Sequence, residues 1–350
     1  MPTSALYDSI FQGADVGIGP YKASLNNNLP QKGQSMRYYF APMEGITDSI
    51  YRRLHHKYFG GVDRYYMPFL SPTIHRQLTH KEDRELPFSD TENFVAVPQI
   101  LTKVADDFLW AAQVCADRGY TEVNLNVGCP SGTVASKGKG SGMLRDVNAL
   151  DAFLEEILSK SPLPVSVKTR LGLENKEDFT SILEVYNRYP IKELTIHPRT
   201  RKQFYDGDLH IDMFRYALEN STNPLCFNGD LRTNGDILKL SEEFPQIEAV
   251  MIGRGLIADP GMLDANGTTR DALQAFTAEL TESYIAAFGG ARNAMFRMKE
   301  NWSFLRHRFA GSERLWKQLR KTTDLNEYKA ITAEIFATLP LSDPYCPTEW

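Results

Sequence analysis

Short runs of apolar, β-branched and aromatic residues recur from residue 38 onward, each followed by a longer stretch whose apolar positions have helical spacing. Eight such runs stand out, at 38–42, 64–67, 95–99, 122–126, 165–168, 194–197, 225–228 and 249–253. Between them, segments such as 105–118 and 147–159 repeat apolar residues every three or four positions. Strand–helix alternation repeated eight times predicts an α/β fold, a (β/α)8 TIM barrel of parallel strands. A doubly wound open sheet is the other architecture this pattern allows. From about Thr268 the pattern turns helical throughout, over 272–288, 291–309, 313–321 and 325–337, which predicts an all-helical C-terminal domain. The expected organisation is an extension over 1–35, broken by Asn26, Asn27, Asn28, Pro30 and Gly33, a catalytic barrel over 36–265 and a helical domain over 266–350.

Polar residues close seven of the eight runs: Glu44, Gln99, Asn126, Lys168, His197, Asn228 and Arg254 fall at or just past a strand's C-terminal end. In a barrel those ends share one face, and that face binds ligands. Core packing gives no reason for so regular a placement.

Composition adds bounds. Of 350 residues, 42% are hydrophobic and 24% charged, as in an ordinary soluble globular protein. There is no apolar run of membrane-spanning length and no secretory-signal pattern at the N-terminus. The four cysteines, Cys115, Cys129, Cys226 and Cys346, form no CxxC pair, so neither a zinc site nor a disulfide framework is expected. A reducing cytoplasm suits them. Cys115 and Cys226 read as core residues. The net charge of −5 is unevenly spread: between Arg292 and Lys321 nine basic residues face two acidic ones, a local excess of +7 that leaves −12 elsewhere. Such asymmetry marks either a basic face for nucleic acid or a solvated helix surface.

Candidate chemistry clusters after the strands. Asn126-Val127-Gly128-Cys129-Pro130 puts a cysteine on a loop at the ligand face, where a thiol can serve as an acid; the competing reading is a small buried core residue. Lys137-Gly138-Lys139-Gly140-Ser141-Gly142 has the composition of a lid, or of a mobile surface loop. Lys168-Thr169-Arg170 aims a lysine into the barrel mouth, where it needs an anionic ligand, a Schiff-base electrophile or a carboxylate such as Glu44. His197-Pro198-Arg199-Thr200-Arg201 carries the one histidine at a strand end, the other six being expected on exposed stretches. Asn228-Gly229-Asp230 and Gly253-Arg254-Gly255 give two glycine turns after the last two strands, the usual phosphate region of barrels.

Together with Ala41-Pro42-Met43-Glu44-Gly45-Ile46-Thr47-Asp48 and Tyr205-Asp206-Gly207, these motifs occur in the order found in tRNA-dihydrouridine synthases, and the chain resembles that family from about residue 38 to 259. The resemblance implies an FMN-dependent barrel, reduced by NADPH or NADH, that converts specific tRNA uridines to 5,6-dihydrouridine. Hydride goes from reduced FMN to C6, and Cys129 gives a proton to C5. The resemblance assigns Pro42, Met43, Gln99, Lys168 and His197 to the flavin ring, and Asn228, Gly229, Asp230, Gly253 and Arg254 to the ribityl chain and phosphate. It assigns Asn126 to the uracil and the helical domain to tRNA, while Arg199 and Arg201 of the histidine motif and Lys137 and Lys139 of the glycine-rich loop are expected, from their own motifs, to meet the substrate. Two positions depart from the family pattern: Pro198 stands where glycine is more usual, and Ser131-Gly132-Thr133 replaces a more basic stretch. A monomer without metal or membrane attachment is expected. The rival readings are an FMN-dependent barrel acting on a free pyrimidine, similar to dihydroorotate dehydrogenase, a Lys168 Schiff-base aldolase, and a non-catalytic tRNA-binding barrel.

Overall fold

The computed structural model describes residues 36–342 and Tyr345, all within one compact unit. Expectations for residues 1–35 and for Cys346 lie outside the described residues. The strands are β1 (Arg37–Phe40), β2 (Arg64–Tyr66), β3 (Ala96–Val97), β4 (Gln99–Ile100), β5 (Val123–Val127), β6 (Val165–Arg170), β7 (Leu194–His197), β8 (Leu225–Asn228) and β9 (Ala249–Ile252). All pair in parallel, in the order β3-β2-β1-β9-β8-β7-β6-β5-β4. The two end strands, β3 and β4, are halves of one run divided at Pro98, whose nitrogen has no proton to give to a ladder. The Pro98 carbonyl still accepts from the Asn124 amide at 2.8 Å. The sheet therefore closes into a barrel of eight staves, and the ninth strand is a consequence of one proline.

Side chains alternate across the sheet as strand geometry demands. Val123, Leu125, Val127, Val165, Val167, Leu194 and Ile196 point outward into the layer beneath the helices and are fully or almost fully buried. Each such burial is worth about 1.5–3 kcal/mol of transfer free energy. The inward set is different: a small apolar cluster of Tyr39, Ala41, Tyr66, Val97, Cys226, Ala249 and Met251 shares the interior with Asn124, Ser166 and Thr195. Cys115 and Cys226 are both buried, as core residues should be.

The C-terminal helices Arg270–Phe288, Ala291–Leu305, Glu313–Lys321 and Leu325–Thr338 match the predicted stretches, except that the second ends at Leu305 in a 3-10 turn, Arg306–Arg308. Gly289 stops the first in the left-handed conformation (φ +65°) that glycine adopts without strain. This helix packs on Ser49–Tyr58, the first barrel helix, where the Phe276 ring meets Tyr51 and Phe59 at 5.4 and 5.3 Å. His55 lies in the same seam. It is fully buried, not exposed as expected, because its helix faces the barrel on one side and the tail on the other; its Nδ1 bonds the Tyr65 hydroxyl at 2.9 Å. Asp48 ties the joint. Its carboxylate caps the first helix through the Tyr51 amide (2.9 Å), accepts from the Tyr284 hydroxyl (3.1 Å) and faces Arg297 at 3.9 Å. Among the described residues no helix is long and apolar enough to cross a membrane, and no side-chain cluster could hold a metal ion.

Burial, with Glu85 adding, pushes the Asp48 carboxyl up to about 6. The folded carboxyl thus holds its proton more tightly than the unfolded one. Its contribution to stability is fully present below about pH 4 and is lost as pH rises through about 6. Asp48→Asn keeps a capping oxygen without the charge. It should be more stable than the parent protein at pH 7.5, by on the order of 1 kcal/mol. Thermal melts should show that gap shrinking toward pH 5, and a gap independent of pH would contradict the account.

Candidate active site

The C-terminal ends of the strands open on a cavity of about 230 Å³. All seven strand-end residues line it: Glu44, Gln99, Asn126, Lys168, His197, Asn228 and Arg254. So do Pro42, Met43, Cys129, Gly229, Asp230 and Gly253. Of the residues assigned to the substrate, only Asn126 does.

A column of hydrogen bonds rises through the barrel to this cavity. At its base Glu122 is ion-paired with Arg64 (2.7 Å) and Lys192 (2.5 Å). Ser166 donates to Glu122 at 2.7 Å and accepts from Asn124 Nδ2 at 3.0 Å. Gln99 Nε2 donates to Asn124 Oδ1, and Asn126 Nδ2 to Gln99 Oε1, both at 2.8 Å. Asn126 Oδ1 then accepts the backbone amides of Gly128 (3.0 Å) and Cys129 (2.9 Å). A carboxylate can only accept, so Glu122 sets the direction of every bond above it. The Asn126 carbonyl oxygen must therefore face the Cys129 loop.

That loop is further braced from behind. Ser141 donates through Oγ to the Cys129 carbonyl at 2.7 Å, and Gly140 adopts φ +56°, where a Cβ would stand 2.9 Å from Cys129 Cβ. The segment expected to be a lid is instead a short helix, Gly132–Ala135, and a 3-10 turn, Gly140–Arg145, with Gly140 to Leu144 buried. Its small residues serve close packing beneath the cysteine. Lys137 is exposed and Lys139 Nζ reaches Ser71 Oγ at 3.2 Å; neither lines the cavity.

The cavity is electrostatically positive. Lys168 has no carboxylate or hydrogen-bond partner among the described residues; Glu44, the competing partner, binds Lys81 at 2.8 Å. Burial and the neighbouring Arg170 bring the lysine down to about 8. Burial, then Arg170, Lys168, Arg199 and Arg254, hold His197 well below its ordinary value, so the ring is neutral. Arg199 Nη1 lies 3.2 Å from His197 Nε2. An arginine only donates, which leaves the ring proton on Nδ1. Arg199 is buried behind the histidine, with its guanidinium given to the Gly207 carbonyl (2.6 Å) and to Asp230 (2.5 and 2.9 Å). Arg254 meets the same carboxylate at 3.0 Å. The two arginines hold Asp230 at φ +44°, a turn that Gly229 begins.

Residues 39–338 match the family model described as dihydrouridine synthase. The chain belongs to the dihydrouridine synthase family. tRNA-dihydrouridine synthase B of Pasteurella multocida (strain Pm70) is 29% identical over 226 residues, 64% of this chain and 67% of that protein. A probable tRNA-dihydrouridine synthase of Staphylococcus aureus (strain Mu50 / ATCC 700699) is 32% identical over 231 residues, 64% of this chain and 69% of that one. Among solved structures, morphinone reductase aligns with 65% of this chain and 84% of its own at 10% identity, with a TM-score of 0.46.

Several wall residues were not among the expected site residues. Arg170 donates to the Gly128 carbonyl and to the Thr200 carbonyl, both at 3.0 Å, and stacks at 5.3 Å on the Tyr205 ring, which Arg254 also covers at 5.0 Å. Its position two residues past Lys168 on one strand was a usable signal, since alternate residues share a face. Pro68 and Phe69 come from the loop after β2 and carry no such signal.

Burial raises the Cys129 thiol above its ordinary value, against the opposing pull of the Ser131 amide, Arg170 and Lys168. Among the described cysteines it is the one not fully buried. Iodoacetamide followed by peptide mapping should therefore label Cys129 ahead of Cys115 and Cys226, at a rate still climbing above pH 9. A plateau at or below pH 8 would show a thiolate that the structure does not support.

Proposed function

We propose that the chain reduces uridines of tRNA to 5,6-dihydrouridine, with FMN as cofactor and NADPH or NADH as reductant. The observation that carries this reading is the meeting, in one cavity, of a thiol held protonated on a braced loop and an ammonium with no protein partner. The wall fits FMN. Ala41, Pro42, Met43 and Met251 offer apolar surface, Lys168 offers a cation to an electron-rich ring edge, and Gly229, Gly253, Arg232 and Arg254 gather where an anionic phosphate needs small residues and positive charge. Gln99 and His197 would hold the ring, and Asn228 and Asp230 the chain. FMN, when bound, supplies the hydride.

The chain's own residues do the rest. The uracil 5,6 double bond is conjugated with the C4 carbonyl, so C6 takes hydride and C5 needs a proton. Cys129 gives that proton from Sγ, and a raised thiol pKa suits a group that must arrive protonated. Asn126 places the cysteine through its two backbone amides and presents its own amide edge to the base. Arg199 acts as a positioning residue for His197 and Asp230. A uridine stacked in folded RNA must leave the stack to reach this depth.

The helical tail supplies cations for phosphates, fewer than its charge promises. Arg297 is taken by Asp48 and Glu300, Arg308 by Asp259 and Arg314 by Glu334. Arg292, Lys317, Arg320 and Lys321 remain for the RNA, together with Arg201, Lys137 and Lys139 near the cavity. A cytoplasmic monomer completes the reading.

The purified protein should be yellow, release FMN and reduce uridine in an unmodified tRNA transcript. Cys129→Ala should retain FMN and lose activity by about a hundredfold or more. Turnover of free uridine or orotate but not tRNA would favour the free-pyrimidine enzyme. A colourless protein trapped on its substrate by borohydride would favour the aldolase. Lys168→Met should weaken FMN retention, and flavin binding by the parent protein should fall as pH rises through about 8.

A further inference from the structure

The loop after β7 holds a bulky residue in a conformation that costs energy and buries little. Phe204 has φ +51°, a region that residues other than glycine, asparagine and aspartate rarely adopt. Its side chain is 41% exposed and makes no ring or cation contact among the described residues. The conformation is not slack. Gln203 Oε1 accepts from the Thr200 amide (2.9 Å), its Nε2 donates to the Asp208 carbonyl (3.2 Å), and Arg199 clamps the Gly207 carbonyl. Next along the chain, Tyr205 lines the cavity between Arg170 and Arg254.

The second observation is Arg201. The Phe204 amide donates to its carbonyl at 3.1 Å, so the two residues are the ends of one tight turn. The Arg201 side chain has no ion pair or hydrogen bond among the described residues, and its Nε is buried without a partner. Its guanidinium lies beside Gly132, three residues past Cys129, 3.8 Å from where a Cβ would stand. An unpaired cation and an exposed aromatic face, fixed on one strained turn that leads directly into Tyr205 of the cavity wall, match the two parts of a single nucleotide.

We propose that Phe204 and Arg201 form a dock for the unpaired nucleotide next to the uridine drawn into the cavity: its base stacks on Phe204 and its phosphate pairs with Arg201. The inference rests on the tRNA reading and adds a contact outside the reacting centre. Stacking of this kind is indifferent to base identity, because every base has a π face. The dock would grip any neighbour that the RNA fold leaves unpaired.

Phe204→Gly separates docking from folding. Glycine accepts φ +51° without strain, so the variant should melt no lower than the parent. With full-length, FMN-loaded enzyme and an unmodified tRNA transcript, Phe204→Gly and Phe204→Ala should raise the tRNA KM about tenfold. Phe204→Trp should stay within about twofold. Arg201→Ala should weaken tRNA binding and lower its salt slope by about one. Reduction of the enzyme by NADPH without tRNA should be unchanged in all of them. An unchanged tRNA KM in Phe204→Gly, or a raised KM for NADPH instead, overturns the dock. Failure of the unaltered enzyme to reduce any tRNA overturns the reading beneath it.

Discussion

One carboxylate orders the interior of this barrel. Glu122 sits at the closed end, neutralised by Arg64 and Lys192, and can only receive hydrogen bonds. Ser166, Asn124, Gln99 and Asn126 line up above it, each donating downward, so amides that could otherwise flip have one orientation. A barrel filled with branched aliphatic side chains would be as well packed. It would have no means of telling the top of the barrel which way to face. The polar column costs desolvation, repaid because every member is satisfied, and it delivers a fixed oxygen to the Cys129 loop.

Against that ordered column the cavity is a concentration of positive charge with little to balance it. Asp230 is the carboxylate set deepest among the cations, and two arginines claim it. Burial first, and the crowded cations after it, keep His197 neutral and bring Lys168 down to about 8. Groups so arranged repel one another until an anion arrives. The site is therefore poised for an anionic ligand.

Much of this was legible before the fold was known, for identifiable reasons. The strands announced themselves because buried parallel staves need unbroken apolar runs, and their polar ends stood out because Gln99, Asn126, Lys168 and His197 recur at matching positions, all of which line one cavity. What stayed hidden depends on partners distant in sequence. Arg199 looks like a substrate cation until Asp230, thirty-one residues on, takes it. The glycines and lysines at 137–142 look like a flap until Cys129 is seen to need small residues behind it. His55 looks exposed on its helix because the tail that covers it lies over two hundred residues away. The basic segment overstated its free charge because Asp48, Asp259 and Glu334 are remote in the chain.

The seam where Asp48, Tyr284 and Arg297 join the barrel to its tail lies close along the chain to the cavity wall. Aromatic rings fill that seam from both sides, and barrel and tail fall within one compact unit. The joint also bears on the stretch that leads into the cavity: Thr47, next to Asp48, accepts the Met43 amide through Oγ1 at 2.9 Å. A substitution that loosens the seam therefore pulls on Met43 and Glu44 in the cavity wall, so that barrel, tail and site answer to one joint.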